Sequence, residues 1–243
     1  MTTRVSNKAT QEARESRPLA LIAFERLRND IIQCKLPPGS KITESALCDL
    51  YGFSKAPVRT ALFKLSQEGL VRTVPRHGYV IAPITIKSVQ DMFELRLVLE
   101  PAVARMAVGR IDVDELKDFN VAPGSSKAEQ AELKFLAANR QFHLAIARAS
   151  GNLRMLALMT QLLDDMAKLL HLGLFSSDWR AGSMLDVHRD QAQQHEDLIN
   201  AFARADSDAA ADAARLHVEE SRDLVMKALL SQGSITVGRV ALA

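Results

Sequence analysis

The sequence predicts a mostly α protein, an N-terminal winged helix-turn-helix followed by a C-terminal all-helical bundle. Three observations predict it. The chain of 243 residues is 47% apolar but only 5% aromatic, with Ala and Leu abundant, which favours helices over sheets. Its apolar residues recur at steps of three and four for most of its length, the period of a helix with one buried face. Third, the run YGFSKAPVRTALFKLSQEGLV, residues 51–71, combines a turn, a cap, a buried stripe and a cationic face within one short helix.

Residues 1–16 are polar and aperiodic, an expected disordered tail. A helix is expected from Leu19 to Cys34, with Ile22, Ala23, Leu27 and Ile31 on one face, and LPPGSKI stops it. Thr43 caps a second helix with Ala46, Leu47 and Leu50 inward. Gly52 permits the turn into the third. There Ser54 is placed to cap, and Pro57 sits in the first turn, where a missing N–H costs little. Val58, Ala61, Leu62 and Leu65 form its buried stripe; Lys55, Arg59, Thr60 and Lys64 stand opposite, and Gly69 ends it. LVRTVPRHGYVIAP then reads as a hairpin with Arg76-His77-Gly78 at its tip. A hairpin behind a recognition helix is a wing, whose Arg76 and His77 would enter a minor groove or touch phosphates; in isolation it is an ordinary polar turn.

ITIKSVQ links this to the second half, placing the domains at 17–83 and 84–232, with a loose tail at 233–243. DMFELRLVLEPAVARMAVG is a long helix with Met92, Leu95, Leu99, Val103 and Met106 in line, and Pro101 predicts a kink or break. DVDELKDF is a short acidic helix and NVAPGSS a loop. Further helices are expected over 128–149, 152–175, 182–204 and 206–230, with a break at SSDW. LRMLALMTQLL is apolar nearly all round, which places it in a bundle core or a dimer seam.

The net charge of +2 conceals an asymmetry: residues 17–83 carry ten Lys/Arg against five Asp/Glu, and residues 84–243 carry eighteen against twenty-two. A basic front and an acidic remainder suggest that only the front meets a polyanion. No apolar run reaches the ~18 residues of a membrane span, and the N-terminus lacks the apolar core of a secretory signal. Cys34 and Cys48 form no CxxC pair and read as reduced thiols of a cytoplasmic protein.

Taken together, Leu36, Pro38-Gly39, Thr43-Glu44, Leu47, Gly52, Ser54, Pro57-Val58-Arg59, Ala61-Leu62, Leu65, Glu68-Gly69-Leu70 and Gly78 resemble the winged helix-turn-helix of GntR-family bacterial transcription regulators over residues 18–83. The resemblance implies a homodimer binding a near-palindromic double-stranded operator through Ser54, Lys55, Ala56, Arg59, Thr60, Lys64, Arg76, His77 and Gly78. Two recognition helices about 34 Å apart would read successive major grooves. Relatives usually carry Arg at position 55, a small polar residue at 56 and Glu at 60, so Lys55, Ala56 and Thr60 imply a different half-site. Arg59 is retained and is the first choice for a base-edge contact; a phosphate contact or a surface salt bridge is the alternative.

Four polar residues interrupt the apolar bundle. Asn139 and His143 share one helix face, His195 precedes Leu198, Ile199 and Phe202, and His217 lies between Leu216 and Val218. Spacing alone leaves two readings: converging imidazoles for a divalent metal such as zinc, or three separately satisfied histidines. FELRLVLEPAVARMA, NRQFHLAIARASGN, HEDLINAFARAD and the late histidine are similar to the FCD effector domain of the FadR-like GntR branch, over residues 85–232. Many of its members bind metal through an Asp and three histidines, which implies Asn139, His143, His195 and His217 here, with a weaker amide ligand at 139. The resemblance also implies an effector pocket, often for an organic acid held partly by an arginine. Arg96 is the candidate, and a salt bridge to Glu100 is its alternative use. His171 and His188 lack a motif partner and read as surface or satisfied residues.

The expected function is a ligand-responsive transcription regulator, repression being the family's common mode, and not an enzyme. The alternative is a metal-dependent hydrolase using the three histidines to activate water, which leaves the basic front unexplained.

Overall fold

A computed structural model of the chain describes residues 17–120, 128–174 and 181–231. The expectations for the two tails, the loop after Asn120 and the SSDW break lie outside the described residues. The chain forms two compact units, one ending at Ile84 and one beginning at Thr85.

In the first unit α1 (Leu19–Ile32) buries Ala23, Leu27 and Ile31. It stops short of Cys34, which takes a φ of 55°. β1 (Lys41–Ile42) follows, then α2 (Glu44–Tyr51), capped by Thr43, whose Oγ1 accepts the Ala46 N–H at 3.2 Å. Of the three apolar residues expected inward on α2, only Leu47 is buried; Ala46 and Leu50 face solvent, Leu50 being 64% exposed. Cys48 and Tyr51 pack beside Leu47 instead, so the inward face is turned to the Cys48–Tyr51 side of Leu47 and away from Leu50.

Gly52, at φ 70°, turns the chain into α3 (Lys55–Gln67). Ser54 occupies the cap position with extended backbone, but its hydroxyl makes no cap bond, contrary to expectation. The cause is local: Pro57 is the third helical residue, where a capped helix offers an N–H, and proline has none. Val58, Ala61, Leu62 and Leu65 are fully buried, and burying a Leu or Val side chain contributes about 1.5–3 kcal/mol. α1 holds α3 in place through this core. An Arg28–Glu68 pair at 3.0 Å reinforces it, and the Tyr51 hydroxyl donates to Asp30 at 2.6 Å from α2 to α1.

β2 (Val71–Val74) and β3 (Gly78–Ile81) form the antiparallel hairpin. β1 adds a third strand, in the order β1-β3-β2, with Ile42 opposite Tyr79. Two residues are too short to show alternation, so β1 was not legible in the sequence. Gly78 is the first residue of β3, not part of the tip, at φ 86°. A Cβ there would lie 2.7 Å from the Ile42 carbonyl oxygen, so close pairing of β1 with β3 requires glycine.

In the second unit α4 (Ile86–Ala107) begins inside the expected link. Thr85 and Ser88 form a reciprocal capping box that starts the helix early. It passes through Pro101 without a break, forgoing one backbone bond to the Leu97 carbonyl. Its buried face includes Met92, Leu99 and Val103 as expected, but Leu95 and Met106 are 41% and 39% exposed. α5 (Val113–Phe119) is capped by Asp112. α6 (Ala128–Ala149), α7 (Leu153–Leu174), α8 (Ala181–Ala203) and α9 (Ser207–Ser231) complete the bundle. α9 packs on α4 and α8, and α4 also packs on α6 and α7. Within one chain the first half of α7 is not enclosed: Leu153 is 80% and Leu158 42% exposed. None of the described helices is long and apolar enough to cross a membrane.

Candidate functional site

The outer face of α3 presents Ser54, Lys55, Ala56, Arg59, Thr60 and Lys64, all exposed. Their exposure follows from the stripe: once four residues face α1, the intervening positions face water. Thr60 Oγ1 donates to the Ala56 carbonyl at 3.1 Å, and Lys64 Nζ lies 5.7 Å from the Phe24 ring centroid. Arg76 and His77 are exposed in the β2–β3 turn, with Arg76 at φ 66° and the His77 N–H bonded to the Val74 carbonyl. Arg59 is already engaged: its Nε and Nη2 donate to the two carboxylate oxygens of Glu44 at 3.0 and 2.9 Å. Arg59's hydrogen bond first, with a smaller influence from Tyr79 of β3, holds the Glu44 carboxyl below the usual range. Glu44 and Tyr79 carry no motif signal in this role; only folding brings them to Arg59.

The second site lies inside the bundle. His143 on α6, His195 on α8 and His217 on α9 are 3%, 1% and 2% exposed. Their ring centroids lie 5.0–5.4 Å apart, and one ligand atom from each falls within 4.8 Å of the others. Convergence, which spacing left open, is therefore realised. His143 Nε2, His195 Nε2 and Asn139 Oδ1 are all buried without a hydrogen-bond partner. Buried polar atoms are rarely left so unless something else satisfies them. The outer nitrogens are held: Gln194 Oε1 lies 2.7 Å from His217 Nδ1 and Glu100 Oε2 3.3 Å from His143 Nδ1. Holding a ring by its Nδ1 reserves its Nε2 for another partner, as in the outer shell of many metal sites. The Phe142 ring stacks on His195 at 3.9 Å. These donors fit a divalent transition metal.

Arg96 does not stand free for an anion. Its Nε donates to Glu100 Oε1 at 2.5 Å, with both side chains buried, so the salt-bridge alternative is the one observed. Its Nη1 nevertheless remains buried and unbonded. A cavity of about 240 Å³, its open mouth included, adjoins the cluster; Glu100 and His143 line it together with Val103, Ile146, Met159 and Leu198. Glu100, Gln194 and Phe142 complete the site and were not singled out as site residues. Glu100 had a signal, its place four residues after Arg96; the other two merely adjoin a histidine in sequence.

Burial, then the neighbouring His143, lowers His217 to about 3, and burial with His217 and His143 lowers His195 well below 6.5. Both are neutral in the folded chain and take up protons on unfolding, so stability falls with acid. In chelator-treated protein His217 is expected to subtract on the order of 1 kcal/mol per pH unit as pH drops from 6.5 towards 3, and His195 to add to the loss in the same direction. Urea unfolding midpoints between pH 7 and 4 test this, and a flat profile would contradict it.

Comparison with known proteins agrees with both halves. Residues 19–81 match the gntR family of bacterial regulatory proteins, and residues 91–220 match the FCD domain. The HTH-type transcriptional repressor GlaR of Escherichia coli K12 is 26% identical over 86% of this chain and 97% of its own. RspR, another HTH-type transcriptional repressor of that strain, is 24% identical over 86% and 90%. Among solved structures, E. coli McbR/YncC superposes with a TM-score of 0.70 at 19% identity, covering 87% of this chain and 98% of that one, a likeness of fold. The chain belongs to the GntR family of transcription regulators and joins that family's helix-turn-helix to an effector-binding FCD domain.

Proposed function

We propose that this regulator is a cytoplasmic repressor that binds a near-palindromic operator as a homodimer. Residues 17–83 read the DNA, and residues 84–232 dimerise and hold a small organic acid beside a bound divalent metal, zinc being the first choice. The observation that carries the effector half is the buried trio His143, His195 and His217, with the Nε2 atoms of His143 and His195 unpartnered. Asn139 Oδ1 serves as the fourth ligand, weaker than a carboxylate. Zinc, when bound, supplies a Lewis-acidic seat for the effector's carboxylate. The chain's own residues do the rest. Arg96, one turn before the cavity-lining Glu100, keeps a spare Nη1 as a donor for a second oxygen, and the apolar cavity wall takes the carbon skeleton. Such a ligand controls DNA binding only by favouring one placement of the two DNA-reading units over another.

Exposed Leu95, Val98 and Met106 on α4, with Leu153 and Leu158 on α7, support the dimer, since monomers seldom leave so many large apolar side chains in water. The relatives' designation as repressors supports repression. The hydrolase alternative is disfavoured by Glu100. Burial opposes its charge, yet Arg96 and His143 hold it far below the carboxylate range, which makes it a poor general base.

The test is footprinting on the promoter of the neighbouring operon at moderate salt, with and without small carboxylic acids. A discrete protected site, released by one acid, is expected. Arg59→Ala is expected to lose preference for that site by about tenfold or more while retaining weak non-specific binding. Equal affinity of the parent for every sequence would sink the reading.

A further inference from the structure

We propose that Glu44 is a positioning residue for base recognition, which holds Arg59 by one edge of its guanidinium and presents the other edge to a guanine. The inference rests on the reading of Arg59 as a base-contacting residue. A guanidinium has two edges that can donate paired hydrogen bonds: the side edge, Nε with Nη2, and the end edge, Nη1 with Nη2. Glu44 takes the side edge with both carboxylate oxygens. What remains outward is the end edge, with both hydrogens of Nη1 and the second hydrogen of Nη2. That pair matches the O6 and N7 acceptors of guanine in the major groove.

Three features make Glu44 a clamp and not a passing surface contact. Glu44 is the first helical residue of α2, directly after a satisfied Thr43 cap, so its backbone is fixed. Its side chain is only 23% exposed, against 67% for Arg59. Tyr79 of β3, opposite Ile42 in the sheet, also favours the charged form of the same carboxylate, so the strand of the wing lies beside it. α2, α3 and β3 thus converge on one arginine head. A free arginine loses several rotors when it meets a base, and one held beforehand loses fewer. The cost is a negative charge near DNA phosphates. Glu44 should therefore improve discrimination while slightly weakening general attraction to DNA.

Tyr79 extends the same reasoning. Removing its hydroxyl leaves the carboxylate and its Arg59 pair in place but takes away a group that favours the carboxylate's charge, so its loss should have a smaller effect in the same direction.

The experiment measures binding of the full-length protein to a footprinted operator and to a set of duplexes with each half-site base pair changed in turn. It compares the parent with Arg59→Ala, Glu44→Gln, Glu44→Ala and Tyr79→Phe, each checked for parental folding by circular dichroism and thermal melting. In the parent one G·C position per half-site is expected to be preferred by roughly tenfold or more. Arg59→Ala should erase that preference. Glu44→Ala should reduce it at least about fivefold at the same position and leave preferences elsewhere unchanged, and Glu44→Gln should fall between. Tyr79→Phe should lose about twofold. The double variant of Glu44 and Arg59 should be no worse than Arg59→Ala alone, because the two act as one unit. Affinity for random duplex should rise in both Glu44 variants.

If Arg59→Ala erases the preference and both folded Glu44 variants keep it, Glu44 is only a surface ion pair and the proposal is overturned. Equal weakening at every position would overturn it as well. Should Arg59→Ala itself keep the preference, the base-reading role of Arg59 fails, and the positioning role fails with it for that separate, identifiable reason.

Discussion

Glu100→Ala is expected to cost the helical unit about 3–5 kcal/mol and to lower its Tm by roughly 10 °C. Arg96 and Glu100 are 2% and 4% exposed, and their ions face each other at 2.5 Å in the middle of α4. Removing the carboxylate leaves a guanidinium in an apolar interior, one of the few single changes whose penalty reaches that size. His143 loses its Nδ1 partner at the same time. Glu100→Gln keeps an acceptor for Arg96 Nε and should lose less. The double replacement Arg96→Met with Glu100→Leu should recover most of the stability, because a buried pair contributes little beyond a well-packed apolar one. Acid should mimic the single change. Glu100 is held well below its ordinary 4.5, so its contribution is complete above about pH 4.5 and is lost only as pH falls further. Urea unfolding of the parent and the three variants measures all of this. A loss under about 1 kcal/mol for Glu100→Ala would mean that water reaches Arg96 without the carboxylate.

His143→Ala and His195→Ala are each expected to lower metal affinity by at least about a hundredfold, since even outer-shell changes cost 10–100-fold. Protein purified without chelator should carry close to one zinc per chain by elemental analysis, and each variant should carry less than about a tenth of that. Metal binding adds to stability by mass action, about 4 kcal/mol at a thousandfold excess over Kd, so chelator should lower the parent's Tm and leave the variants' unchanged. Asn139→Asp should tighten binding, because a carboxylate is the stronger ligand for a dication. A parent with no stoichiometric metal after purification and reloading would remove zinc from the account and leave the trio as a metal-free pocket.

The two sites differ in how far the residues foretold them. For the DNA-reading face, the stripe of Val58, Ala61, Leu62 and Leu65 was enough to place Lys55, Arg59 and Thr60 in water, since both sets lie on one rigid helix. The partner of Arg59 was not foretold, because Glu44 lies fifteen residues away on another helix. Ser54 shows the opposite error. Its cap position was right, but its expected bond was absent for a reason already present in the sequence, the proline three residues on. In the bundle, the apolar period identified α4 but misplaced Leu95 and Met106. Buried Arg96 and Glu100 shift the inward face away from the line drawn through apolar residues alone.

By itself the sequence determined the helices, the hairpin and the kind of protein, though not the two-residue β1. Caps, turns, prolines and the three-and-four period act within a few residues and need no knowledge of distant chain. They marked the winged front and the helical rear, and the motif landmarks on them carried the family. Only the tertiary structure decided which side chains meet. A helical period assigns a residue to a face but says nothing of which helix lies against that face or at what height. His143, His195 and His217 are separated by more than fifty and more than twenty residues, and the approach of their ligand atoms to within 4.8 Å depends on the packing of α9 against α8 and of α4 against α6 and α9. The same packing buried the Arg96–Glu100 pair, which the four-residue spacing had already offered, and left one nitrogen of Arg96 spare.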